Sequence, residues 1–299
     1  MTGYLSQQYA ASLAEWGNPV RLPSSGGWLL SRGIPDTAFR DLMGCYPVFC
    51  CEDFTRLHED IERFSLDHVS LALVTDSFGA YDEPLLSRTF DRVVAFKSHF
   101  VAELDRPWEK IVSKHHRYYA RRALANLVIE PVLDLSNFLD EWCRLYENLV
   151  RRKELRDIKA FSRKSFAAQF GVPGLVALRA VHLDQTVGAH LWMQHDGVAH
   201  SHLAAFSEEG YNLMAAYALY SGAIQYFTDK VRWLSFGAGA GISADATDGL
   251  TQFKRGWSTA TRTTWFCTKV LQPKHYAALT AARCKTNTNY FPAYREGEF

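Results

Sequence analysis

The dipeptide Asp196-Gly197 constrains this chain more than any other feature. Both residues tolerate positive φ, and they stand between two runs that alternate like strands, Thr186 to Gln194 and Val198 to Phe206. A two-residue hairpin turn is therefore predicted, and counting outward from it sets the register. Met193 faces His200 and Leu191 faces His202 on one side, while His190 and Trp192 share the other with Ser201 and Leu203. Leu175 to His182, ended by the polar turn Asp184-Gln185, supplies a third strand.

Around this meander, helical and strand periods alternate along the chain, which predicts a mixed α/β fold. Strands are expected at 46–51, 69–74, 92–100, 231–236 and 259–270, and helices at 53–63, 107–126, 136–152, 211–227, 248–257 and 273–282. Asp105-Arg106-Pro107 provides a cap and an N1 proline, so a domain boundary is placed near 106, dividing the chain into 1–106 and 107–299. The tail Arg295-Glu296-Gly297-Glu298-Phe299 reads as frayed.

The chain carries 33 Lys+Arg against 32 Asp+Glu, so a nucleic-acid contact needs a local basic patch rather than the whole surface. Such a patch is legible. Lys110, Lys114, Arg117 and Arg121 recur at spacings of three and four, Arg122 adds a fifth cation, and Arg151, Arg152, Lys153, Arg156, Lys159, Arg163 and Lys164 follow in 151–164. A face of this kind suits phosphates, with Tyr118 and Tyr119 placed to stack on a base; the alternative is a solvated helix face. No run is long and apolar enough for a membrane helix, and Met1-Thr2-Gly3-Tyr4 lacks a secretion signal's charged start, so a cytoplasmic protein is expected. Cysteines 45, 50, 51, 143, 267 and 284 form no CxxC pair and read as reduced thiols.

Other chemistry is weakly supported. Gly237 to Gly241 follows a strand but lacks the GxxxxGK[ST] lysine and hydroxyl, and Ile242 breaks GxGxxG, so these glycines shape a strand exit rather than bind phosphate. His182, His190, His195, His200 and His202 crowd the meander, yet the register sets Leu191 and Met193 opposite His202 and His200, and no metal is expected. A histidine lining a cleft there suits general-base work. GxSxG is absent, which argues against a serine hydrolase.

The order of elements, a basic helix, an amphipathic helix, the meander, a long helix, a strand and a short helix ending in Phe253-Lys254-Arg255-Gly256-Trp257, resembles the GNAT acyltransferase fold. The likeness is to its Fem-type branch, aminoacyltransferases that use aminoacyl-tRNA to extend peptidoglycan precursors and some peptide natural products. It rests on His115-His116-Arg117-Tyr118-Tyr119-Ala120-Arg121-Arg122-Ala123-Leu124, on Val187-Gly188-Ala189-His190-Leu191-Trp192, on His202 through Gly210 to Ala218, and on 249–257. Residues 1–106 then read as a reduced GNAT-like half in tandem with the catalytic one.

The resemblance implies that Lys254 holds the reacting carbonyl, and a cation there would stabilise a developing oxyanion. Where GNAT enzymes that use acyl-CoA carry a Q/RxxGxG/A turn, this chain reads Ser207-Glu208-Glu209-Gly210-Tyr211-Asn212. Two carboxylates disfavour a pyrophosphate. Glu208 or Glu209 suits an α-ammonium group, or acts as a base. The expected activity is aminoacyl transfer from tRNA to the amine of a small metabolite or peptide, with no cofactor. His202 or Glu209 is the base beside Lys254, with His200 and Glu208 also open. Arg117, Arg121, Arg122, Tyr118, Glu208, Gly210, Trp192 and Arg255 are the expected substrate contacts. Two alternatives remain: an acyl-CoA donor held at Gly210, and a non-catalytic module that keeps only the fold.

Overall fold

A computed structural model of the chain describes residues 1–239, 248–283 and 288–298. Cys284, Phe299 and the Ala240-Gly241 end of the glycine-rich loop lie outside them. Residues Tyr4–Phe96, Arg156–Lys159 and Thr263–Phe299 form a first compact unit, and Met1–Gly3, Lys97–Leu155 and Ala160–Arg262 form a second.

The first unit opens with α1 (Gln7–Ser12), β1 (Asn18–Arg21), β2 (Trp28–Gly33), β3 (Arg40–Gly44), α2 (Leu57–Arg63), β4 (Ser70–Val74) and α3 (Glu83–Thr89), and β5 (Arg92–Glu103) carries the chain onward. Strands β1, β2 and β3 pair antiparallel, and β3 pairs parallel with β4. The expected strand at 46–51 is reduced to a single bridge, Phe49 to Thr75. Phe266–Val270 pairs antiparallel with β4, so residues from 263 onward belong here rather than with the segment after 106. The divide at 96/97 also falls inside β5, because the far half of that one strand pairs elsewhere.

The tail is not frayed. Arg295 is buried, its Nε and Nη2 donate to the fully buried Asp41 carboxylate on β3, Tyr294 Oη donates to the same group at 3.1 Å, and Arg32 Nε reaches it at 3.2 Å. A carboxylate out of water needs that many donors, and distant residues supply them.

The second unit contains α4 (Trp108–Ile111), α5 (Lys114–Leu124), β6 (Val128–Pro131), α6 (Leu135–Lys153), α7 (Arg163–Gln169), β7 (Leu175–His182), β8 (Gln185–His195), β9 (Val198–Phe206), α8 (Glu208–Asn212), α9 (Ala215–Phe227), β10 (Trp233–Gly237) and α10 (Gly249–Arg255). The chain then leaves through β11 (Ala260–Val270) to α11 (Pro273–Arg283). Strands β6, β7, β8 and β9 pair antiparallel in sequence order, β9 pairs parallel with β10, and β10 pairs antiparallel with Phe100–Glu103. Trp192, Phe227 and Phe236, all fully buried, join β8, α9 and β10 in one core. Each contributes about 1.5–3 kcal/mol by leaving water.

Two expected helices are broken. Ser113 ends the first turn after Pro107 and caps a new helix, its Oγ accepting from His116 N, so Lys110 sits on α4 and does not share a face with Lys114, Arg117 and Arg121 on α5. Met214, at φ +58°, separates α8 from α9. The cations of 151–164 are likewise divided: three close α6, Arg156 and Lys159 belong to the first unit, and Arg163 and Lys164 open α7. No described helix is long and apolar enough to cross a membrane, and the five described cysteines are free thiols.

Candidate functional site

The turn at Asp196-Gly197 forms as its residues dictate, both with positive φ, and it fixes Met193 against His200 and Trp192 against Ser201. Beyond that pair the register shifts: Leu191 faces Leu203 and His190 faces Ala204, leaving His202 as the extra residue of a bulge. The bulge corrects the expected Leu191–His202 pair. Its local consequence is to set Ser201 Oγ 2.8 Å from His190 Nε2.

Strands β9 and β10 pair only from Val198–Trp233 to His200–Ser235, although β9 runs on to Phe206 and β10 to Gly237. A register shift between Ser235 and Gly237 turns β10 toward β5, and the two parallel strands part. Ser201, His202, Leu203 and Ala204 are consequently half-exposed in the interior of a sheet, where a paired strand would be covered. This opening is the candidate site.

Lys254 closes it. Asp248 caps α10 by accepting from Leu250 N and Thr251 N, and the helix end is fixed by Ser113 N donating to Gly256 O at 2.9 Å. Phe253 packs against Tyr220 with ring centroids 4.9 Å apart, and the missing side chain of Gly256 leaves room for the His116 ring. So held, Lys254 Nζ donates to Ala238 O at 2.6 Å just past β10. Burial, reinforced by Lys97 and opposed by Asp248, lowers its pKa to about 8.

The imidazoles around the opening are held neutral. Burial pushes His190 down to about 3, helped by Lys254 and His202, and burial does the same to His200 and His202. His99, on β5, is also lowered to about 3, by burial first and then by Lys254 and His200. His202 Nε2 lies 3.0 Å from Gln169 Oε1 on α7.

The expected site residues are not all brought together. Lys254 and His202 flank the opening. Glu209 does not: its carboxylate, more than half exposed, lies 3.6 Å from His182 Nε2 on β7, reaching back across β8 and away from β10. It stays solvated because α8 turns its first residues outward. Glu208 is exposed and 3.3 Å from Arg152, whose guanidinium stacks 4.3 Å over Tyr211. Gly210 is buried under Val187, and its N–H donates to Ser207 Oγ at 3.0 Å. Trp192 is a core side chain with no access to a substrate. Tyr118, Arg121 and Arg122 are exposed on α5, Arg117 is half-buried beside them, and Arg255 is exposed on α10. Sequence reasoning missed Ser201 and Tyr220; only the strand alternation around His190 pointed their way.

No family model matches this chain, and no curated protein matches it in sequence. Among solved structures it is similar to FemX, with a TM-score of 0.67 and 12% identity over 91% of this chain and 93% of that one. It is similar to L-PGS from Bacillus licheniformis, with a TM-score of 0.62 and 12% identity over 90% of this chain and 93% of that one. The C-terminal DUF2156 domain of a lysylphosphatidylglycerol synthetase homologue from Agrobacterium fabrum gives 0.64 and 13% over 92% and 90%. The chain has a Fem-type GNAT fold.

Proposed function

We propose that the protein forms an amide by transferring an aminoacyl group from aminoacyl-tRNA to an amine of a small metabolite or peptide. The observation that carries this reading is Lys254, a half-buried cation at the point where β9 and β10 part. The acceptor nitrogen attacks the ester carbonyl, a C–N bond forms, and Lys254 stabilises the negative oxygen of the tetrahedral intermediate. Collapse breaks the bond to the ribose oxygen, which leaves with the proton given up by the amine. That route needs no strongly basic side chain, in keeping with imidazoles held near 3. His202 remains the side chain nearest to hand for a base.

The likeness to FemX supports an aminoacyl donor, as does a neighbour whose name describes a lysyl group joined to phosphatidylglycerol. An acyl-CoA donor would need amides at the start of α8. Gly210 N is already engaged by Ser207, and Glu208 and Glu209 occupy that turn. Arg121 and Arg122 are exposed for the tRNA backbone, with Arg117 and Tyr118 beside them.

Protein recovered from cells at low salt is expected to carry tRNA-sized RNA with one enriched amino acid. The double variant Arg121→Glu, Arg122→Glu should retain at least about tenfold less of it. Bound CoA thioester without RNA would overturn the tRNA donor.

The pH dependence follows from Lys254. It is a cation only below about 8, so kcat/KM is expected to fall as pH rises through that value. Arginine stays charged throughout, so a Lys254→Arg variant should show no such fall. Rates measured across about pH 6 to 10, corrected for spontaneous ester hydrolysis, check this.

A further inference from the structure

His190, Ser201 and Tyr220 form a small polar cluster on the face of β8 and β9 that α9 covers. His190 is completely buried, Tyr220 is 5% exposed, and Ser201 borders the opening between β9 and β10. Ser201 Oγ lies 2.8 Å from His190 Nε2, and the Tyr220 ring packs on the His190 ring with centroids 5.1 Å apart. His190 Nδ1 is buried with no hydrogen-bond partner among the described residues.

Counting hydrogens settles how this cluster is arranged. Neutral His190 has one N–H, at Nε2 facing Ser201 or at Nδ1, which meets no acceptor among the described residues. A buried donor without an acceptor is costly, and donors are orphaned less often than acceptors. The proton therefore belongs on Nε2. His190 then donates to Ser201 and fills one of its lone pairs. Ser201 keeps its own O–H to give, and it is the residue of the trio that reaches the opening.

We infer that Ser201 is a second hydrogen-bond donor to the reacting carbonyl oxygen, acting beside Lys254, with His190 as the positioning residue that leaves its O–H free to donate. This rests on the acyl-transfer reading above. No covalent bond to Ser201 forms: the hydroxyl keeps its proton and shares it with the oxygen as negative charge develops. Tyr220 packs on both His190 and Phe253, the neighbour of Lys254, with ring centroids 5.1 and 4.9 Å apart, so the two donors serve the same opening.

Two experiments test it. The first is independent of activity. In protein labelled with ¹⁵N-histidine, with His190→Gln used to assign the ring, long-range ¹⁵N–¹H correlation should show His190 protonated at Nε2 and bare at Nδ1. A proton on Nδ1 would overturn the arrangement, since Ser201 would then donate to His190.

The second uses bulk tRNA charged with a mixture of radiolabelled amino acids and a mixed pool of primary amines. Ser201→Ala is expected to lower kcat about 10²-fold with little change in KM. Ser201→Thr, which keeps the hydroxyl, should recover most of the rate. If Lys254→Ala abolishes transfer while Ser201→Ala runs at the wild-type rate, the role of Ser201 is lost and the acyl-transfer reading stands. Wild-type protein that transfers nothing overturns the acyl-transfer reading itself.

Discussion

Lys254→Ala is expected to lower kcat for aminoacyl transfer about 10²–10³-fold, with KM changed only a few-fold, because the lost interaction is made to charge that exists only in the transition state. Steady-state rates with charged tRNA measure it. The variant should fold normally: Lys254 is half-exposed, and its recorded bond is to one backbone oxygen, Ala238 O. A thermal melt close to wild type, alongside the lost rate, separates chemistry from stability. Unchanged kcat would leave the fold without this chemistry and would favour a binding module.

The second large effect belongs to stability. Asp41→Ala strips the shared acceptor from Arg32, Arg295 and Tyr294 and leaves two guanidinium groups largely buried with much of their charge uncompensated. Breaking a buried ion pair from one side costs about 3–5 kcal/mol. Urea unfolding followed by tryptophan fluorescence should show the first unit's transition moving to lower denaturant by that amount. Asp41→Asn keeps an acceptor oxygen and should lose less. A loss under about 1 kcal/mol for Asp41→Ala would mean that water replaces the carboxylate at little cost.

Sequence alone reached a good part of this. Elements with strong local signals formed as read: the Asp196-Gly197 turn, the amphipathic stripe of α6 with Phe138, Trp142, Leu145 and Tyr146 buried, and the capped α10 that carries Lys254. The failures share a cause. The bulge at His202, the break at Ser113 and the left-handed Met214 are one-residue events decided by what packs against them, and periodicity averages over such events. His202 is displaced by partners on α7, Ser113 by the end of α10, and neither partner is near in sequence. Glu209 is expected as a base because it stands in the turn where acyl-CoA enzymes carry Q/RxxGxG/A, but one turn of helix aims it back across β8. The C-terminal return had no local signal, since the pairing of Phe266–Val270 with β4 depends on residues almost two hundred positions earlier.

That return has a consequence for the order of events during synthesis. The first unit is made of sequence that flanks the second one, so the ribosome delivers β1 to β4, then the whole of Lys97–Leu155 and Ala160–Arg262, and only then the strand that β4 awaits. Domains ordinarily mature from the N-terminus onward. Here the later-emerging unit can finish first, while the β4 edge stays open and Asp41 waits without Arg295 for the time needed to translate more than two hundred further residues. Until the C-terminal segment arrives, Asp41 has only Arg32 as a cationic partner, and the open edge of β4 stays available for mispairing.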